Sequence, residues 1–204
     1  MGGHDGGGLP ARIQARLARW YGIEDAPAVD PFIEPVDAGG RETLLVRDQG
    51  GELEILLYLP RAAVEPVAGG RAPSFDELCQ VIEGVSHFLY LAERARRELP
   101  ATHLELELQA EVDKYVLLSH DAGSFHPARA ARVRAQLFEQ VTYVHAADTE
   151  HGARYRMAND LAARFTRRLE ALCTRHGRSD PMRAALVRFY GAGQTEKIGL
   201  ARAA

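Results

Sequence analysis

Between Thr102 and His120, apolar residues recur on two sides of a helix rather than one. At about 100° per residue, Leu104, Leu108, Val112, Tyr115 and Val116 fall on one side, and Leu106, Ala110 and Leu117 on another. Glu107, Glu111 and Lys114 lie in the seam between them, with Leu118 alongside. A helix apolar on two sides packs centrally, and a carboxylate in its seam has to be paired or functional.

The other helical segments each show one stripe. Pro10 opens a short amphipathic helix with Ile13, Leu17 and Trp20 at helical spacing, ending near Gly22. Ser74 with Glu77 forms a capping box and predicts a helix to about Leu99; Thr102 with Glu105 forms a second box, opening the central helix. Ala130, Val133, Leu137, Val141 and Val144 predict a helix over 127–145, and Leu161, Phe165, Leu169 and Leu172 one over 153–176. Ser179-Asp180-Pro181 begins another, with Leu186 and Tyr190 inward, and Thr195 a last short one.

Before Ser74 the pattern changes. Residues 41–48 and 52–60 are β-favouring runs around a Gln49-Gly50-Gly51 turn, which read as a hairpin. Pro27, Pro31 and Pro35 make 25–40 an extended connector. The expected fold is mainly α: an antiparallel helical bundle of about five helices with an appended N-terminal β-hairpin. Its expected organisation is a disordered Gly-rich tail over 1–9, then N-terminal helix, Pro-rich arm and hairpin over 10–72, then the bundle over 73–204.

With 46% hydrophobic and 26% charged residues, the 204-residue chain has the composition of a globular domain with one sizeable core. No apolar run approaches the roughly 20 residues that span a bilayer, and the first residues lack the pattern of a signal peptide. A cytoplasmic location and no membrane partner are expected. Cys79 and Cys173, far apart in helical contexts, read as reduced packing residues.

The charge is divided unevenly. Residues 1–124 hold 11 Lys and Arg against 21 Asp and Glu, whereas 125–204 hold 14 against 7. Either the two halves pair with each other or the basic half meets an anionic partner. Only Lys114 and Lys197 interrupt the arginines, a bias typical of GC-rich bacterial genomes. Arg129, Arg132, Arg156, Arg164, Arg167 and Arg168 stand away from the apolar stripes and form the candidate partner- or anion-binding face.

Candidate chemistry centres on Glu107, Glu111 and Lys114, because burying the seam would raise a glutamate's pKa toward that of a general acid or base. His87 joins them as a catalytic candidate, although with Glu83 and Arg94 it is placed on a solvated helix face. No HExxH or ExxH occurs, so no metal and no cofactor is expected. No phosphate-binding glycine loop occurs either. Gly84-Val85-Ser86-His87-Phe88 matches GxSxG only in its first three positions. The polar loops around His120–His126 and His145–His151 should lie at opposite ends of the third helix, and so cannot share a site.

The leading expectation is therefore an intracellular interaction or accessory subunit, joining a protein partner or its own copy through the hairpin, the N-terminal arm and the Arg-rich face. The alternative is an enzyme using the central helix's buried glutamates as general acid and base, with or without a metal. The second alternative is a nucleic-acid-binding module using the basic half.

Overall fold

A computed structural model describes residues 7–37, 40–50, 52–65, 71–121, 124–176 and 180–203. The predicted disordered tail lies outside these residues as far as Gly6, and helix α1 (Leu9–Tyr21) already begins at Leu9. Pro10 stands in its first turn, and Gly22, at φ 69°, closes it in the left-handed conformation. Ile13, Leu17 and Tyr21 are buried, so the inward position predicted for Trp20 belongs to its neighbour. Trp20 is half-buried and meets the His120 ring edge-on at 5.5 Å.

The connector after α1 carries a short 3-10 turn over Asp30–Phe32 and strand β1 (Ile33–Val36). β2 (Thr43–Gln49) and β3 (Glu52–Pro60) pair antiparallel across Gly50, which takes φ 69°. β1 pairs with β3 in parallel, giving the order β1-β3-β2. In place of the predicted appended hairpin, the two runs are β2 and β3 of a three-stranded mixed sheet. The prolines masked β1 in the sequence: Pro35 lies on the sheet's edge strand, where a missing N–H costs nothing.

Helix α2 (Arg61–Val64) leads to α3 (Phe75–Arg96) and α4 (His103–Ser119), both opened by the predicted capping boxes. Glu77 N donates to Ser74 Oγ at 3.2 Å while Glu77 accepts from Ser74 N at 2.7 Å; Thr102 and Glu105 repeat the exchange at 3.2 and 2.8 Å. β4 (His120–Asp121) and β5 (Ser124–Phe125) form a two-residue ladder before α5 (Pro127–Arg134).

The predicted helix over 127–145 stops early. α5 widens into a π turn over Ala135–Glu139, and residues 140–149 are not helical. Buried Asn159 supplies the reason: its Nδ2 donates at 2.9 Å to Leu137 O, the carbonyl that Val141 N would have used, and its Oδ1 accepts from Tyr143 at 3.1 Å. Val141 and Val144, predicted to be core, are exposed.

Helices α6 (Glu150–His176), α7 (Asp180–Gly191) and α8 (Gln194–Arg202) complete the described chain. In place of about five helices with a hairpin, the protein is mainly helical with eight α-helices among the described residues and a small mixed sheet. α4 packs against both α3 and α6, as its two apolar sides require, and β3 lies on α3. A side chain at Gly84 would come within 2.8 Å of Leu57 Cδ1 and 2.9 Å of Leu59 Cδ2, both on fully buried leucines, so glycine sets how closely sheet and helix approach.

One buried polar network ties α1, α3, α4 and α8 together. Lys197, with no exposed surface, donates to Gln109 Oε1 at 2.6 Å and to Phe189 O at 2.8 Å. Gln109 donates in turn to Asp113 at 2.9 Å and Tyr21 at 3.0 Å, and Asp113 also accepts from Ser86 at 2.6 Å and from Tyr21. Ser86 is thus a satisfied helix residue rather than a nucleophile at an elbow. Burial pushes Lys197 down to about 7, despite Asp113 and Glu105 nearby, and pushes Asp113 up to about 6.

Between pH 8 and 10 the unfolded chain holds the Lys197 proton while the fold does not, so this lysine makes stability rise with pH. Wild-type stability should therefore gain on that of Lys197→Met by up to about 1.4 kcal/mol per pH unit in denaturant titrations over that window. A pH-independent difference would show that Lys197 is charged in the fold.

Candidate functional site

The seam of α4 opens into a cleft of about 1000 Å³ bounded by β2, α3, α4, the π turn and the start of α6. The sequence places the catalytic candidates there through two helical repeats. Glu83 and His87 are one turn apart on α3, Glu107 and Glu111 one turn apart on α4, and the packing of the two helices faces one pair toward the other. His87 is only 7% exposed and Arg94 likewise 7%, so the solvated face assigned to them is an interior one. Arg94 donates to Pro100 O at 2.8 and 2.6 Å, away from this cluster.

Lys114 is the pin. Its ammonium donates to Glu111 at 2.7 Å and to Glu83 at 3.1 Å, joining α4 to α3. From α3 the seam thus gains a third carboxylate, Glu83. Glu42, just before β2, adds a fourth: its Oε1 lies 3.3 Å from His87 Nδ1. Glu42 is held by its own backbone, whose N–H donates to Gln80 at 3.0 Å while Gln80 donates to Asp76 at 2.7 Å. Tyr155 of α6 completes the wall beside Glu107.

Four carboxylates thus share a largely buried space with one ammonium and one imidazole. Arg41 stands exposed at the mouth. Even with His87 protonated, Lys114 and His87 match two of these four carboxylates; Arg154, which lines the same cleft, is a third cation. Burial raises Glu107 to about 7, with Glu83 and Glu42 adding to it and His87 opposing. Burial would lower His87, but the Glu42 hydrogen bond and the charges of Glu42, Glu83 and Glu107 carry it up to about 9. Burial likewise raises Glu111, opposed by Lys114, whereas for Glu83 the fields of Lys114 and His87 win and hold it below its usual value. Burial also raises the Tyr155 phenol, which remains a hydrogen-bond donor at neutral pH.

One polar atom in this cluster has no hydrogen-bond partner. His87 Nε2 is buried and unpaired, 4.0 Å from Glu107 Oε2. One donor atom each from Glu83, His87 and Glu107 lie within 4.8 Å of one another, the spacing of groups that converge on a cation. No ligand set was expected from the sequence, because the motifs sought were Glu-x-x-His and histidine pairs; the observed set takes Glu-x-x-x-His from α3 and its third donor from the next helix.

All four catalytic candidates, Glu107, Glu111, Lys114 and His87, are therefore brought together. The six arginines are not: Arg156 stacks over Tyr143 at 4.3 Å and donates to His145 O, Arg164 pairs with Asp160 at 3.0 Å, Arg132 and Arg167 are exposed elsewhere on α5 and α6, and Arg129 and Arg168 are half-buried. Of the two polar loops, His145 and His151 reach the cleft, whereas His120 is buried against Trp20. Cys79 lines the cleft wall with its thiol raised to about 12 by burial, and Cys173 is buried; both are free, as expected. Comparison with protein families, curated proteins and solved structures found no match.

Removing Lys114 leaves Glu83 and Glu111 buried without their cation, so Lys114→Met should cost about 3 kcal/mol or more in chemical denaturation. Glu111→Gln leaves the Lys114–Glu83 pair in place and should change stability by less than about 1 kcal/mol. Equal losses in the two variants would mean that Glu83 does not hold Lys114.

Proposed function

We propose that the protein is a metal-dependent enzyme whose cleft holds a divalent cation on Glu83, His87 and Glu107. The buried, unpaired Nε2 of His87 among carboxylates carries this reading. A buried imidazole nitrogen without a partner costs free energy, and so does an excess of buried negative charge; a divalent cation removes both costs at once. Two carboxylates with one imidazole suit zinc, manganese or iron(II) better than calcium, which takes oxygen donors alone.

The remaining residues have roles around that ion. Glu42 at 3.3 Å from His87 Nδ1 orients the imidazole and fixes which nitrogen faces the cluster, the usual support for a metal-bound histidine. Lys114 holds Glu83 and Glu111 in place and limits the net charge of the site. Three protein donors leave positions open for water or substrate, so the ion would supply an activated water or polarise a substrate oxygen. Tyr155 and Glu111, beside the donors, are placed to donate or accept a proton.

An association role has less to draw on. α1 commits Ile13, Leu17 and Tyr21 to the chain's own core, and β3 is central in its sheet, which leaves the edge of β1, interrupted by Pro35, and the edge of β2 with exposed Leu45 and Val46.

Elemental analysis after dialysis against zinc and manganese is expected to give one ion per chain in the wild type and a large loss of occupancy in His87→Gln and Glu107→Gln. Retention in both variants would place the metal elsewhere, and a wild type that holds no ion would remove the reading. Binding must displace the protons of Glu107, near 7, and His87, near 9. Affinity in calorimetric titrations should accordingly fall as pH is lowered from 9, most steeply below 7.

A further inference from the structure

The cleft combines an acidic floor with an apolar lip. Of the eight large hydrophobic side chains exposed among the described residues, five line this one opening: Leu45, Val46, Phe75, Val141 and Val144. Val144 is 68% exposed. The lip is assembled from β2, the start of α3 and the segment that Asn159 holds out of helix, so three separate elements bring apolar residues to the same opening. Scattered surface hydrophobics are ordinary, whereas a contiguous set around a cleft marks a binding site.

A second orphan lies inside the same wall. Arg154 lines the cleft from α6, and its Nε is buried without a hydrogen-bond partner. Among the described residues it has an ion pair with Glu150 at 3.6 Å, a carboxylate that is 92% exposed and therefore weakly coupled, and lies 6.0 Å from the Tyr155 ring centre. Arg154 adjoins Tyr155, the α6 residue that stands beside Glu107. His151, one turn earlier, and His145 extend this wall, their rings 5.4 Å apart.

We propose that the cleft takes an amphiphilic anion: a small molecule with an alkyl or aryl body that packs on the apolar lip and a carboxylate or phosphate head that pairs with Arg154. The head's oxygens would also reach the cation, a second contact that rests on the metal reading above. A guanidinium with a free, dry N–H calls for an anionic acceptor, and the lip calls for an apolar body; one amphiphile satisfies both. A second copy docked on β2 would cover Leu45 and Val46 and leave Arg154 unpaired.

Calorimetry on the full chain, with metal loaded and with metal stripped by chelation, tests this with octyl phosphate, octanoate, octanol and inorganic phosphate as probes. The octyl anions are expected to bind, with octanol and inorganic phosphate each at least about tenfold weaker. Which octyl anion binds more tightly assigns the head as phosphate or carboxylate. Arg154→Gln should weaken the preferred anion about tenfold or more while leaving octanol unchanged. Val144→Asp, at an exposed position that tolerates a charge, should weaken both octyl anions and spare inorganic phosphate. Arg154-dependent binding that persists undiminished in stripped protein supports the anion site and removes only the head's contact with the cation. Octanol binding as tightly as octyl phosphate, an Arg154→Gln variant that binds as wild type, or a dimer that excludes every probe would overturn the inference.

Discussion

The ammonium of Lys114, held between Glu83 and Glu111, is the interaction on which the site depends. Without it, the face of α4 that turns toward α3 would bring carboxylate against carboxylate. With it, the two helices can bury Glu83, Glu107 and Glu111 within one seam and still pack. Such a pair is weak evidence for stability, because apolar residues of equal volume would serve as well or better. What the arrangement achieves that apolar packing cannot is a dry, acidic floor under a cleft, with a histidine nitrogen facing into it. Glu42 from the sheet and Tyr155 from α6 then close around that floor, so three layers of the fold converge on one charge cluster.

α4 carries polar networks on two opposite faces, and the difference between them is informative. Gln109 and Asp113 point toward α1 and α8, where Lys197, Tyr21 and Ser86 complete a sealed set of hydrogen bonds. Glu107, Glu111 and Lys114 point toward the cleft, where charge is uncompensated and His87 Nε2 is unpaired. The first network needs nothing further and specifies how four helices meet. The second leaves a buried polar atom unpaired beside an open cleft, and the proposed cation site rests on that difference. Both of the chain's lysines, among 25 cationic side chains, stand in these networks. A compact amino group on a flexible stem fits where a guanidinium fork would not.

Much of this was legible in the sequence. The two capping boxes placed the starts of α3 and α4, and the two-sided apolar pattern of α4 announced a central helix with Glu107, Glu111 and Lys114 inside. Other features depended on contacts that no local pattern encodes. His87 looked solvated because α3 shows one strong apolar stripe, yet the sheet and α4 cover its other side as well. Asp113 and Gln109 were unremarked because polar residues among leucines read as surface until α1 and α8 arrive. The stop after Glu139 depends on Asn159, which takes the Leu137 carbonyl from 22 residues along the chain. β1 was hidden by its prolines, and Glu42 gave no signal at all, since its position comes from a backbone bond to Gln80.

The central claim is that a divalent cation belongs between Glu83, His87 and Glu107. Diffraction from crystals soaked in manganese, collected with anomalous signal, tests it most directly. The expected result is a single strong anomalous peak within about 2.0–2.3 Å of His87 Nε2 and of an oxygen from each glutamate. A map with no peak there, and with Lys114 or a water filling the space instead, would contradict the account.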